Sequence, residues 1–252
     1  MGRLLIPHDD SFALMVSKRP SKPLRKPPVW LFDLDNTLHN ASAASFPTLR
    51  VAMGVYIQRH LGLTAEESDA LRSRYFKRYG ATLLGLVRHD GVDAAHFLHE
   101  THSMPELEAR VHGHAPDFAA LQALRGRKIL LTNAPRRYTQ RVLGVLGITR
   151  YFDAVLSIED MAMFGHLRPK PDARMLRCLA AKLKVHPRRC VLVEDALENL
   201  RGARRVGMQT VWMQRWLRRS TWGWATHKRV SITPAYVDHR VSSLRGLQRR
   251  TW

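Results

Sequence analysis

VWLFDLDNTLHN, residues 29–40, decides how this 252-residue chain is read. Val29 to Phe32 are apolar without a break, and Pro27-Pro28 precede them. A short unbroken apolar run behind a turn signal reads as a strand buried on both faces, the kind found in parallel sheets. The run stops at Asp33, and Asp35 follows two positions on. A carboxylate straight after a buried strand is costly unless it is paired or binds a metal. Residues two apart on an extended chain point to the same side, so Asp33 and Asp35 share a face. The carboxyl ends of strands are where α/β sheets bind ligands. Asn36-Thr37 then opens a turn. A plain strand end with a polar turn has the same letters, so later strands must decide.

They do recur. Lys128–Thr132, Asp153–Ile158, Cys190–Glu194 and Gln209–Met213 read as strands, and 135–146, 172–183 and 196–206 as helices. Such alternation means βαβ units, hence an α/β fold with a doubly wound parallel sheet. The first strand is cut off from the second by a block far too long for a structureless loop. That block carries only helical patterns, including a capping box at Thr64 and Glu67 and a glycine stop at Gly80. The expected organisation is a basic, Pro-rich leader at 1–27, a core at 28–42 and 121–241, an all-α insertion at 43–120, and a loose basic tail at 242–252. Ala235–Val241 alternates weakly, as one last edge strand does.

The charged share is 25% and the hydrophobic share 45%, ordinary for a globular chain. No apolar stretch reaches the roughly 20 residues that span a bilayer. Leu4-Leu5-Ile6 is too short for a secretory signal. Cys178 and Cys190 lack metal-type spacing and fit a reduced, cytoplasmic protein. The net charge is +20, of which residues 1–28 and 214–252 supply +4 and +8. A basic balance suits anionic substrates and gives nonspecific affinity for nucleic acid; a solvated basic surface has the same composition. Trp212, Trp216, Trp222 and Trp224 lie among Arg215, Arg218 and Arg219. Interleaved indoles and guanidiniums can bind single strands, or can cover a sheet edge with the arginines snorkelling outward.

Chemistry gathers at the strand ends. Thr132-Asn133 precedes a helix that opens at Pro135, a hydroxyl beside backbone N–H groups suited to an anion. Lys170 sits between Pro169 and Pro171, one cation in a stiff loop. Glu194-Asp195 closes the strand 190–194 with two adjacent acids, which packing explains poorly. Two unit charges 4 Å apart interact by about 4 kcal/mol at an effective dielectric near 20. Three or four converging carboxylates therefore call for a hard cation, and oxygen ligands beside a phosphate suggest Mg²⁺. Lys170 and Thr132 are left to cradle the anion. An aspartate beside a metal-bound phosphoryl group is a competent nucleophile.

The order Asp-x-Asp, Thr-Asn, Lys-Pro, Glu-Asp resembles the haloacid dehalogenase-like superfamily over about residues 29–215. The resemblance implies that Asp33 attacks phosphorus and that Asp35 protonates the leaving oxygen and then activates water. Thr132, the backbone at Asn133, and Lys170 would hold the phosphoryl group. Asp33, the Asp35 carbonyl and Asp195 would bind Mg²⁺, with Glu194 acting through water. Dehalogenases of the superfamily lack the second aspartate, so Asp35 implies phosphate chemistry. The insertion looks like a type 1 helical cap. FDLDNTLHN, YFKRYGATLLGLVRHDGVD (75–93), ILLTNA and RPKP look like the pyrimidine 5′-nucleotidase branch, with His39 departing where many relatives have Tyr.

A phosphomonoester, and within it a nucleotide, is thus the expected small-molecule partner. Selectivity must come from the insertion, since the core motifs read only phosphoryl. Tyr75, Phe76 and Tyr79 lie at helical spacing beside Arg88 and His89. Aromatic faces stack bases and Arg or His bonds their edges, while the same aromatics can fill a small core. Arg88, His89 and Tyr79 are the candidate specificity residues. A sugar-phosphate phosphatase or phosphomutase shares the core motifs. A basic nucleic-acid-associated protein with a secondary phosphatase core is the reading of another class.

Overall fold

The computed structural model describes residues 26–217, 232–249 and 252. The opening strand β1 is Val29–Phe32, buried along its whole length. Behind it come seven helices: α1 (Ala41–Ala44), α2 (Phe46–Leu61), α3 (Ala65–Tyr79), α4 (Thr82–His89), α5 (Ala94–His102), α6 (Leu107–Arg110) and α7 (Ala115–Ala123). Strands and helices then alternate: β2 (Arg127–Leu131), α8 (Arg136–Leu146), β3 (Ala154–Leu156), the hairpin β4 (Ala162–Met163) and β5 (His166–Leu167), α9 (Ala173–Lys182), β6 (Cys190–Glu194), α10 (Leu197–Arg205) and β7 (Gln209–Met213). An edge strand β8 (His239–Val241) and a short α11 (Arg245–Gln248) close the described chain.

Six strands make one sheet in the order β3-β2-β1-β6-β7-β8. Every pairing in it is parallel. The order reverses at β1, which lies between β2 and β6. That reversal puts the ends of β1, β2 and β6 side by side, at the crevice where open α/β sheets bind ligands. Alternate residues of β1 feed the two faces. Trp30 and Phe32 join one apolar cluster, Val29 and Leu31 the other. Both faces are covered, which is why the strand reads as a continuous apolar run.

Helix α3 starts on the expected capping box, with Glu67 N–H donating to Thr64 Oγ1 at 3.3 Å and Thr64 N–H donating to Glu67 Oε2 at 2.8 Å. Tyr56, Ile57, Leu71, Tyr75, Leu83, Leu86 and Phe97 bury against one another as a third cluster. Ile158 and Leu167, from the chain between β3 and α9, pack with it.

Four expectations need correcting. Residues 43–120 do not pack as one unit, because Leu107, Val111, Ala120 and Leu121 join the cluster of Trp30 and Phe32. Helices α6 and α7 therefore cover the sheet, and α2 to α5 hold a core of their own. The stretch 242–252 is not loose in its described part. Leu244 and Leu247 are buried, and Trp252 lies edge-on to Trp30 at 4.8 Å. Asp117 of α7 ties this end down, accepting from Leu244 N–H at 2.9 Å and from the Ser243 hydroxyl. Arg215 does not snorkel outward; its Nε donates to the same Asp117 at 2.7 Å. The strand expected over 153–158 ends at Leu156, because Ser157 and Asp160 form a capping box that turns the chain into a 3-10 turn.

Trp212 and Trp216 are buried, and Trp212 Nε1 donates to the Asp195 carbonyl at 2.9 Å. Trp222, Trp224, Arg218, Arg219 and the leader to residue 25 lie outside the described residues. Among the described residues no helix is long and apolar enough to cross a membrane. Both cysteines are free.

Candidate active site

Asp33 continues the ladder one residue past β1, its N–H donating to the Val193 carbonyl at 3.0 Å. Its side chain is thereby held at the end of the sheet, only 6% exposed. Lys170 reaches it from the loop before α9. The ammonium donates to Asp33 Oδ1 at 2.7 Å and to Glu194 Oε2 at 2.8 Å, and the residue is 2% exposed. Burial works against that charge, but Asp33 and then Glu194 outweigh it and hold Lys170 above its ordinary value. Two of its three N–H bonds are committed, which leaves one donor for an anion.

Two devices hold the Lys170 loop. Asn133 Nδ2 donates to the Lys170 carbonyl and Asn133 Oδ1 accepts from the Lys170 N–H, both at 2.9 Å. The Asn133 side chain is thus a clamp on the loop, a use its position in the sequence did not suggest. Behind the loop runs α10, at Gly202. A Cβ there would lie 2.5 Å from the Pro171 carbonyl oxygen, so only glycine allows this approach. Thr132 is buried, and its Oγ1 accepts from Ala134 N–H at 3.0 Å. Its own hydroxyl proton remains available to donate.

Asp33, Glu194 and Asp195 each offer an oxygen within 4.8 Å of the others. Burial, followed by the neighbouring Glu194, pushes Asp33 up to about 7. Burial, followed by Glu194 and Asp33, raises Asp195 well above the usual carboxylate range. One lysine does not balance this cluster, and its donors are all hard oxygens. A divalent cation of the Mg²⁺ type fits on both counts. Asp33 and Asp195 are the carboxylates placed to hold it. Glu194 is already occupied: Oε1 accepts from the N–H groups of Asp195 and Ala196, and Oε2 from Lys170 and Asn199. Its four acceptor positions are filled, so it organises the loop without being free to bind a cation directly.

Asp35 belongs to a second group. Its Oδ1 accepts from His39 Nε2 at 2.8 Å and from the Tyr138 hydroxyl at 2.8 Å. Tyr138 Oη also lies 2.9 Å from Ser45 Oγ. Burial, and then the Asp35 charge, raises Tyr138 well above a phenol's ordinary value. His39 is fully buried, and its Nδ1 has no hydrogen-bond partner among the described residues. An unsatisfied buried polar atom costs about 1–3 kcal/mol.

The sequence singled out His39 only as a departure from the family pattern, and it passed over Tyr138, Ser45 and His102. His102 ends α5, with its ring centroid 5.9 Å from that of Tyr138. Burial holds it down to about 4, against the pull of the Asp35 charge. Through it α5 reaches this group, as the start of α2 does through Ser45. Tyr138 was within reach of sequence reasoning. It sits in the first turn of α8, where side chains lean back toward the helix start and so toward the Thr132-Asn133 loop.

The expected specificity residues gather by themselves. Tyr79 and His89 bond each other at 2.5 Å, and His89 stacks on Tyr75 at 5.7 Å. Arg88 and His89 are exposed at the end of α4. Gly80, next to Tyr79, faces Pro171, from which a Cβ on it would be 3.6 Å away. The end of α3 therefore borders the Lys170 loop, but the hydrogen bond of Tyr79 and His89 is to each other and not to the core site.

Residues 29–207 match the family described as haloacid dehalogenase-like hydrolase. A validoxylamine A 7′-phosphate phosphatase of Streptomyces hygroscopicus subsp. limoneus is 29% identical over 195 residues, 71% of this chain and 82% of that one. A fructose-1-phosphate phosphatase of Escherichia coli is 34% identical over 80 residues, 32% of this chain and 40% of that one. A solved phosphatase of Thermococcus onnurineus superposes with a TM-score of 0.59 at 22% identity, covering 88% of this chain and 96% of that one.

Proposed function

We propose that this chain, which belongs to the haloacid dehalogenase-like hydrolases, is a Mg²⁺-dependent phosphomonoester hydrolase working through a phospho-aspartate. The observation that carries the reading is the pair of aspartates after β1. Asp33 is buried against the Lys170 ammonium, and Asp35, two residues on, is held by His39 and Tyr138. In this reading one carboxylate is the nucleophile and the other transfers the proton. Asp33 attacks phosphorus, and the bond to the leaving oxygen breaks with its electron pair. Asp35 gives that oxygen a proton. Asp35 then takes a proton from water, which attacks the acyl phosphate and releases phosphate and Asp33. Lys170, the Thr132 hydroxyl and the backbone at Asn133 hold the phosphoryl oxygens meanwhile. When bound, Mg²⁺ supplies positive charge against the phosphoryl group and the acids around it.

For the substrate we favour a nucleoside 5′-monophosphate, pyrimidines preferred, with α2 to α5 acting as a type 1 cap. The support is the resemblance of 75–93 to that branch, together with the aromatic and basic group of Tyr75, Tyr79, Arg88 and His89, which includes the end of α3 whose Gly80 faces Pro171. The E. coli relative favours a second reading, a sugar phosphate. A phosphate-release comparison decides: kcat/KM for UMP and CMP should exceed that for AMP, GMP and fructose 1-phosphate. Equal values would make this a general phosphatase, and a better fructose 1-phosphate would install the second reading. Nonspecific nucleic-acid contact through the basic ends is tested by a salt titration, which should show a steep loss of affinity. For location we favour a reducing, cytoplasmic setting, and the support is the pair of free thiols, Cys178 and Cys190.

A further inference from the structure

Both hydrogen bonds that Asp35 accepts fall on the same oxygen, Oδ1. Among the described residues none falls on Oδ2. The two donors come from distant parts of the chain and are buried. His39 is also tied through its backbone, bridged to Asp35 on one side and to Gly113 on the other. Tyr138 projects from α8 and is backed by Ser45. Among the described residues the buried Nδ1 of His39 has no partner, while Nε2 of the same ring sits on this carboxylate. An apolar side chain would fill the space without that cost, so packing alone does not account for a histidine here.

We infer that His39 and Tyr138 are positioning residues which lock the Asp35 carboxyl by Oδ1, so that Oδ2 is presented to the leaving oxygen as the proton-carrying atom. The inference rests on the phosphatase reading above. In the first half-reaction the proton on Oδ2 passes to the leaving oxygen as that oxygen takes the electron pair of its bond to phosphorus. In the second, Oδ2 receives a proton from the attacking water. A carboxyl free to rotate offers either oxygen, or neither, at the moment of transfer. Orientation of a reacting group is itself a large part of such a group's effect.

A leaving group that needs no proton separates positioning from mere structure. p-Nitrophenolate departs unprotonated, whereas the 5′-oxygen of a nucleotide does not. We would measure kcat/KM, which reports the first half-reaction, for UMP and p-nitrophenyl phosphate in the wild type, Tyr138→Phe, His39→Leu and His39→Gln. Tyr138→Phe and His39→Leu should each lose at least about tenfold more on UMP than on p-nitrophenyl phosphate. His39→Gln retains an N–H donor and should recover most of that difference. Near-UV circular dichroism reports folding, and Tyr138→Phe, which deletes one hydroxyl, carries the test if His39→Leu does not fold. Equal losses on the two substrates, or none, would overturn the inference while leaving the phosphatase reading intact. A wild type that hydrolyses neither substrate overturns the phosphatase reading and the inference with it.

Discussion

Gly202→Ala tests how the Lys170 loop is held. The new Cβ would stand 2.5 Å from the Pro171 carbonyl oxygen, 2.8 Å from Pro171 Cβ and 3.2 Å from Pro171 C. Two of these partners are backbone atoms and cannot swing away. Reaching the ordinary contact distance of 3.4 Å needs a relative shift of about 0.9 Å between α10 and the loop. Lys170 precedes Pro171, and its contacts to Asp33 and Glu194 are 2.7 and 2.8 Å. Displaced by that much, they stretch to roughly 3.6 Å, beyond a good hydrogen bond. A misplacement near 1 Å at a reacting centre costs on the order of 10²-fold in rate. Stability should change less. Overpacking costs about 1–3 kcal/mol, and alanine returns up to about 1 kcal/mol in a helix interior. Gly144 in α8 is the control, since nothing lies within 4 Å of a Cβ placed there. Gly144→Ala should raise the Tm and leave turnover alone. The assay is kcat/KM for p-nitrophenyl phosphate alongside thermal unfolding. If Gly202→Ala behaves like Gly144→Ala on both readouts, close approach of α10 does not hold the loop and the reasoning fails.

Asp33→Asn should fold but lose turnover altogether, because an amide cannot form the acyl phosphate; a tenth of wild-type activity would be incompatible with that mechanism. Asp35→Asn should lose about 10²–10⁴-fold on UMP, the usual worth of general acid–base help. Exhaustive chelation should abolish phosphate release and Mg²⁺ should restore it, with Ca²⁺ a poor substitute because it favours more ligands and looser geometry. In Mg²⁺ titrations Asp195→Ala should raise the half-saturating concentration, whereas Glu194→Ala, which releases Lys170 and Asn199, should show most of its damage in the Tm. Arg88→Ala should lower kcat/KM for UMP several-fold more than for p-nitrophenyl phosphate, and equal loss on both would assign Arg88 to the fold.

What could be read from the letters was whatever a short window contains. β1 and β6 announce themselves because a strand buried on both faces is apolar throughout, and Asp33, Glu194 and Asp195 because acids seldom follow such strands. The capping box at Thr64 and Glu67 is likewise local. Tyr138 and His39 stand 99 positions apart and meet only once the sheet has brought α8 beside β1. No window holds both. The packing of α6 and α7 is not legible for a related reason. Leu107 and Leu121 are plainly apolar, but nothing local says which of two clusters they join. The short α11 gives too few turns for any periodicity, and its anchor, Asp117, is more than a hundred residues away. The presence of Glu194 was legible, whereas the filling of all its acceptor positions was not.

The electrostatics of the site and of the whole chain answer one difficulty together. A phosphate monoester is an anion, and the site proposed for it is lined by Asp33, Asp35, Glu194 and Asp195. At a spacing of 4 Å each uncompensated pair costs about 4 kcal/mol at an effective dielectric near 20. Among the described residues Lys170 is the one ammonium bonded to that cluster, and it is spent on Asp33 and Glu194 at once. Burial first, and then the neighbouring carboxylates, raise Asp33 and Asp195 above the usual carboxylate range. Asp33 and Asp195 would hold a divalent cation, whose charge would offset that repulsion and favour the ionised form of Asp33, the proposed nucleophile. The +20 net charge acts at longer range, favouring the approach of an anion before any contact forms. The two effects differ in their response to salt. Long-range attraction fades over a Debye length of about 8 Å at physiological ionic strength, whereas buried pairs are screened far less. Added salt should therefore raise KM for a phosphomonoester while leaving kcat nearly constant, because approach depends on the outer charge and chemistry on the buried cluster.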